Sequence, residues 1–155
     1  MNNMVFNWKI GSVHKVSADV AGEVCNKLDA EGNLTAKALV DVSRPEDAPL
    51  HPEFEWNDGI AAEKWREQQG RLIINHLTVV IDNQEPVRKF FNIENTANTY
   101  TSIDVILKNT DTREQLLQMA LRELGAFKRK YSQLTELAKL FDAISETEEA
   151  LENAS

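Results

Sequence analysis

Apolar residues in the last third of the chain recur at alternating steps of three and four: Leu117, Ala120, Leu124, Phe127, Tyr131, Leu134, Ala138 and Phe141. That spacing is the seam of a heptad and predicts one long amphipathic helix from Thr112 to Ser145. Thr112 with Gln115 has the form of a capping box at its start. Leu116, Leu121, Leu137, Leu140 and Ile144 widen the stripe beyond a two-stranded seam. The helix is therefore expected to pack on its own globule and also to meet a partner, with Leu117, Leu124, Phe127, Tyr131, Leu134 and Phe141 at the interface of a homodimer.

Upstream the periodic stretches are shorter. Met1 to Val16 reads as a short strand or an apolar arm, broken at Gly11. Val20, Val24 and Leu28 at four-residue spacing predict a helix over Ala18 to Ala30, capped by Ser17 and closed by Gly32. Thr35 caps a second helix, with Leu39 and Val40 facing inward and Pro45 forcing an end near Ser43. Three of the four prolines fall between Pro45 and Pro52, which marks a linker. A third helix is predicted from Gly59 to about Asn75, capped by Asn57 or Asp58, with Ile60, Ala61, Trp65, Leu72 and Ile73 turned inward. Leu77 to Ile81 reads as a strand, Asp82 to Glu85 as a turn and Pro86 to Ile93 as its return strand. Glu94 to Thr99 reads as a polar loop, and Ile103 to Lys108 as a short helix or a third strand. The class expected is α+β, mostly α: a single globular domain over residues 1–145 and a frayed acidic tail over 146–155.

Charge modifies this picture in one place. The net charge is −8, and the chain from Phe141 onward carries Asp142, Glu146, Glu148, Glu149 and Glu152 with no base. An acidic chain is a poor starting point for non-specific binding to nucleic acid, although the body is left nearly balanced. The single cysteine, Cys25, rules out an internal disulfide, fits a reducing compartment and falls on an apolar stripe, as a buried inert thiol would. No stretch approaches the roughly 18 apolar residues that a membrane helix requires. The expected location is the cytoplasm, without a membrane partner.

Candidate chemistry is sparse. There is no glycine-rich phosphate loop, no Gly-x-Ser-x-Gly elbow and no Ser/His/Asp grouping, so no catalytic residue and no cofactor is expected. His51, Glu53, Glu55, Asp58 and His76 are the one cluster with metal-ligand chemistry, but their spacing matches no zinc motif. No metal site is expected; Asp58 reads as a helix cap and Glu53 and Glu55 as solvated, with Phe54 and Trp56 turned to the core. The order helix, helix, helix, two-stranded wing is that of a winged helix. In that reading Lys64, Arg66 and Arg71 of the third helix, with Arg88 and Lys89 of the wing, touch double-stranded DNA. Against it stand the long connection from Arg44 to Asn57 and the acidic Glu63 and Glu67 on the same helix.

The segment Pro49-Leu50-His51-Pro52-Glu53-Phe54-Glu55-Trp56-Asn57-Asp58, followed by Ala61-Ala62-Glu63-Lys64-Trp65-Arg66 and Gln69, resembles a family of small uncharacterised proteins encoded by tailed phages and prophages. The resemblance extends from Trp8 through Ala120-Leu121-Arg122-Glu123-Leu124 to Leu140. It implies a viral or mobile-element origin, a host-cytoplasmic setting and an accessory role, and it assigns no activity to any position. The leading expectation is a dimeric, non-enzymatic DNA-binding or regulatory protein. The alternative is a protein-binding phage component, either a virion or assembly factor or an inhibitor of a host protein, and a metal-dependent enzyme comes third.

Overall fold

The computed structural model of the chain describes residues 4–93 and 98–154. The chain forms two compact units, Met1–Lys108 and Asn109–Ser155. In the first, β1 (Met4–Trp8) leads to α1 (Ala18–Ala30), α2 (Ala36–Val42), a single 3-10 turn (His51–Glu53) and α3 (Ile60–His76). It continues through β2 (Leu77–Ile81), β3 (Val87–Arg88), β4 (Phe90–Asn92), β5 (Tyr100–Ser102) and α4 (Ile103–Lys108). The fold is α+β and mostly helical, as the periodicity predicts.

The early helices begin where the sequence places their caps. The Ser17 hydroxyl accepts from Val20 N at 3.3 Å and the Thr35 hydroxyl from Ala38 N at 2.9 Å. Gly32 takes a φ of +69°, the left-handed turn that ends α1 without a Cβ penalty. Between these caps the inward stripe of α1, with Ala21, Cys25 and Leu28, meets Leu39 and Val40 of α2 and Ile73 and Ile74 of α3 in one core. Cys25 is fully buried there, and burial pushes its thiol well above the usual range, as an inert core residue requires.

β1 is a strand and not merely an arm. It runs antiparallel to β2 with Phe6 opposite Val79 and Trp8 opposite Leu77, and β3 completes a three-stranded sheet on the far edge of β2. Along β1 the alternation leaves Val5 and Asn7 in solvent and turns Met4, Phe6 and Trp8 toward the interior. The Phe6 ring lies against α1 at Gly22, where a Cβ would come within 2.3 Å of the ring. Asp82 and Asn83 both take positive φ in the turn after β2, which short polar side chains tolerate. The predicted return strand is split. Val87–Arg88 pairs with β2, whereas Phe90–Asn92 pairs with β5 in a second sheet. Lys89 is the joint: its N–H donates to Leu77 O and its carbonyl accepts from Ile103 N. Of the predicted polar loop Glu94–Thr99, residues 94–97 lie outside the described residues, as do residues 1–3 of the apolar arm and the side chains of Ile60 and Ala61.

The second unit is a helical hairpin. The predicted single helix over Thr112–Ser145 is two: α5 (Thr110–Tyr131) and α6 (Ala138–Asn153), joined through a 3-10 turn at Thr135–Leu137. Folding back brings the Phe127 ring to 6.3 Å from that of Phe141, a contact that a straight helix would leave in water. The cap is also displaced: the Asn109 side chain accepts from Asp111 N and Thr112 N, so the helix opens ahead of the Thr112 capping box. Glu146 to Asn153 are helical, which corrects the expectation of a frayed tail.

Candidate functional site

The segment from Leu50 to Asp58 is fastened to α3 as a clasp. Glu55 N donates to the side-chain oxygen of Gln69 on α3 at 3.2 Å, and within the segment Trp56 Nε1 donates to His51 O at 2.8 Å. Arg66 is the pin. Its guanidinium donates to the Glu55 and Asn57 carbonyls and pairs with Glu63 at 2.9 Å and Asp58 at 3.3 Å. The same group lies 5.1 Å from the centre of the Trp56 ring, whose plane stacks on His51 at 4.8 Å. The fork geometry explains why arginine stands here: one planar group satisfies two carbonyls and two carboxylates at once. The predicted cap of α3 is consequently different. Asp58 is spent on Arg66, and Gly59 stands at the N-terminus without a side-chain cap.

Glu53 extends the clasp to the N-terminal segment. Its Oε1 accepts from the backbone N–H groups of Lys15 and Val16, and its Oε2 lies 3.2 Å from His14 Nδ1. His14 Nε2 in turn lies 2.8 Å from His76 Nδ1. Trp8 stacks on the His14 ring at 3.7 Å and fixes itself through Nε1 to Val16 O. A carboxylate only accepts, so His14 Nδ1 carries a proton. The link between the two rings then holds one proton, with either ring as donor. Burial, then the charges of His14 and Lys9, hold the His76 ring below its ordinary pKa. Glu53 is thus buried rather than solvated, the reverse of the sequence expectation, while Glu55 is exposed. The relay has the form of an oriented base, but among the described residues no hydroxyl or thiol is hydrogen-bonded to either ring.

His51, Glu53, Glu55, Asp58 and His76 are not gathered at one point. Glu53 and His76 meet through His14, whereas His51 turns away, stacked on Trp56 with its Nδ1 donating to Ser43 O at 2.9 Å. Among the described residues no group of three or more histidine, cysteine, aspartate or glutamate side chains is placed to hold a metal ion.

The five predicted DNA-contacting cations do not share one exposed face. Arg66 is buried in the clasp, and Lys89 is buried with its Nζ 2.8 Å from Asp104. Burial alone would raise the Asp104 carboxyl, but the Lys89 ammonium outweighs it and holds the group below the usual range. Arg88 donates to Phe90 O and Asn75 and lies over the Phe91 ring. Lys64 and Arg71 remain exposed, with Arg71 beside Glu67 at 3.7 Å.

What α3 presents to water is an apolar pair, Trp65 and Leu72, flanked on one side by Gln68, Lys64 and Arg71. Trp65 is 53% exposed and Leu72 37% exposed, whereas Ile73 on the opposite side is fully buried. At 100° per residue Lys64, Trp65, Gln68, Arg71 and Leu72 fall on one arc, opposite Arg66, Gly70 and Ile73. The sequence reading turned Trp65 and Leu72 inward; the inward side is instead taken by the Arg66 pin and by Gly70, where α2 approaches so closely that a Cβ would lie 3.1 Å from Ala36 O.

The predicted interface residues of the hairpin separate by depth. Phe141 is buried, Leu117 and Tyr131 are half-buried, and Leu124, Phe127 and Leu134 are exposed. No helix among the described residues is long and apolar enough to cross a membrane. Comparisons with protein-family models, with curated proteins and with solved structures found no match.

Proposed function

We propose that this chain is a non-enzymatic binding protein whose docking surface is the outer face of α3, and that its partner is a protein. The observation that carries the reading is Trp65, an exposed tryptophan on a helix locked from behind. Exposed tryptophan with leucine costs solvation in the free protein, and such side chains dominate protein–protein interfaces once a partner covers them. Arg66 and Gln69 hold the helix before any partner arrives, so little ordering remains to be done on binding. Lys64, Gln68 and Arg71 form a polar rim suited to carboxylates on the partner.

A protein partner is favoured over DNA for two reasons. Reading base edges in the major groove uses hydrogen-bonding side chains, and much of this face is given to an indole and a leucine. Two of the five cations are committed to ion pairs inside the fold, on a chain of net charge −8. With the resemblance to phage-encoded proteins, this supports an accessory role in which α3 engages a phage or host protein.

The test is capture from a lysate of the producing cells, with wild-type chain, Trp65→Ala with Leu72→Ser, and Lys64→Ala with Arg71→Ala as baits. In parallel, fluorescence anisotropy is followed on labelled duplex and single-stranded DNA across a salt series. The proposal expects a protein retained by wild type and lost from the Trp65/Leu72 bait at unchanged helix content. Steeply salt-dependent DNA binding that depends on Lys64 and Arg71 would overturn it in favour of a nucleic-acid module.

A further inference from the structure

The Glu53–His14–His76 chain is closed by two ring nitrogens, His14 Nε2 and His76 Nδ1, 2.8 Å apart. Only one hydrogen fits between two nitrogens at that distance. His14 Nδ1 is already committed to the Glu53 carboxylate at 3.2 Å. With both imidazoles neutral, His76 donates and His14 Nε2 accepts. One added proton leaves the link intact, because whichever ring is charged donates to the lone pair of the other. That single charge also stands beside the Glu53 carboxylate. A second proton puts an N–H on both facing nitrogens, and neither then has a lone pair to offer. The link is lost, and two like charges are left beside one carboxylate.

The strain of that second proton falls on a weakly fastened segment. His76 is the fixed partner: it ends α3, its carbonyl accepts from Lys9 N, and β2 follows directly. His14 stands on the connection between β1 and α1, residues 9–17, which has no helix or strand of its own. Glu53 holds that connection at Lys15 N and Val16 N, and Trp8 holds it at Val16 O and by its stack on His14. Ile10 and Val13, at 95% and 93% exposed, add nothing to the anchoring. The side chains of His14 and Glu53 are only 5% and 6% exposed, so a surplus charge there reaches water only if something moves. The charges facing the pair are Lys9 from the connection and Glu53 from the 3-10 turn, with Lys15 next along the chain; β1 offers the uncharged Trp8.

We propose that the histidine pair is a proton-counting latch on the β1–α1 connection, closed with one added proton or none and open when both rings are charged. In the open state His14 leaves its place between Trp8 and Glu53, and residues 9–16 come away from the body. The clasp and α3 stay in place, because Arg66 and Gln69 fasten them without a histidine. The sign is fixed: a fall in pH opens the latch. The second proton is the reluctant one, since burial and then the charges of His14 and Lys9 hold the His76 ring below its ordinary 6.5. The latch therefore works on the acid side of neutrality, where histidine alone among unperturbed side chains changes charge. It is independent of the exposed face of α3.

The experiment is nuclear magnetic resonance of the full-length chain from about pH 7.5 to about pH 5, following histidine ring signals together with amide hydrogen exchange. The His14 and His76 rings should take up protons in two coupled steps. In the second step, protection of the Lys15 and Val16 amides, corrected for intrinsic rate, should fall by about tenfold or more, while Cys25 and Leu28 in α1 stay protected. His76→Gln keeps a donor for His14 and cannot charge, so its Lys15 and Val16 amides should stay protected down to about pH 5. The wild-type readings decide alone if that variant does not fold. Independent titration of the two rings, or unchanged protection at Lys15 and Val16, would overturn the proposal. So would the same loss in His76→Gln, or a simultaneous loss at Cys25 and Leu28.

Discussion

Arg66 shows how one side chain decides the reading of a whole helix. Removing it leaves the Glu55 and Asn57 carbonyls without their donors and Trp56 without its stacked cation. Arg66→Ala should therefore lower stability by about 1–3 kcal/mol, read as a lower urea midpoint at an unchanged slope. Arg66→Lys should recover little of it, because an ammonium cannot span four acceptors. Gly22 makes a second prediction at this scale. Alanine is the better helix former by about 1 kcal/mol, yet its Cβ would meet the Phe6 ring, so Gly22→Ala should destabilise by about 1–3 kcal/mol. A double-mutant cycle with Phe6→Ala should show a coupling of opposite sign to the single losses. Neither role was legible in the sequence. Lys64 and Arg66 look alike on paper, and what separates them is contact with a loop ahead of the helix, which periodicity does not encode.

Among the elements, the best-read were those whose ends are written locally. Ser17, Gly32 and Thr35 mark α1 and α2, and the β-branched run marks β2. The break between α5 and α6 was missed because no glycine or proline announces it. It follows from the long-range approach of Phe127 and Phe141, while Ser132 and Gln133 merely permit the turn. The clasp was half legible: Phe54 and Trp56 were read correctly as facing inward, but Glu53 finds its partners in Lys15, Val16 and His14, far back in the chain. Glu53→Ala should cost about 1–3 kcal/mol by stranding two backbone donors and His14. Glu53→Gln should cost less, since its amide oxygen can keep both N–H groups while the histidines exchange tautomers. His76 adds a pH dependence of definite sign. Its folded pKa lies below its ordinary 6.5, so the unfolded chain takes up the proton first. Its contribution is complete above that value and is lost as pH falls through it, with a slope of at most about 1.4 kcal/mol per pH unit. His76→Gln should flatten that part of a stability profile measured by chemical denaturation.

For the whole molecule, the sequence placed the class correctly and the division of labour incompletely. A body of ordinary composition and one heptad stripe suggested a single domain with a long helix. The chain instead builds a clasped α+β unit that presents α3 and a separate hairpin that presents an apolar side. The segment Pro49–Asp58 with Gln69, which stands out as a motif, is explained by the clasp, whereas Trp65 of the same motif stands exposed on α3. Site-specific photo-crosslinking tests that assignment most directly. A benzophenone side chain is introduced by Trp65→p-benzoylphenylalanine and, as a control at an exposed position of α1, by Asp19→p-benzoylphenylalanine. Irradiation in a lysate of the producing cells should join the position-65 chain to one discrete protein and leave the position-19 chain free. Equal crosslinking from both positions, or crosslinking of position 65 to nucleic acid, would contradict it.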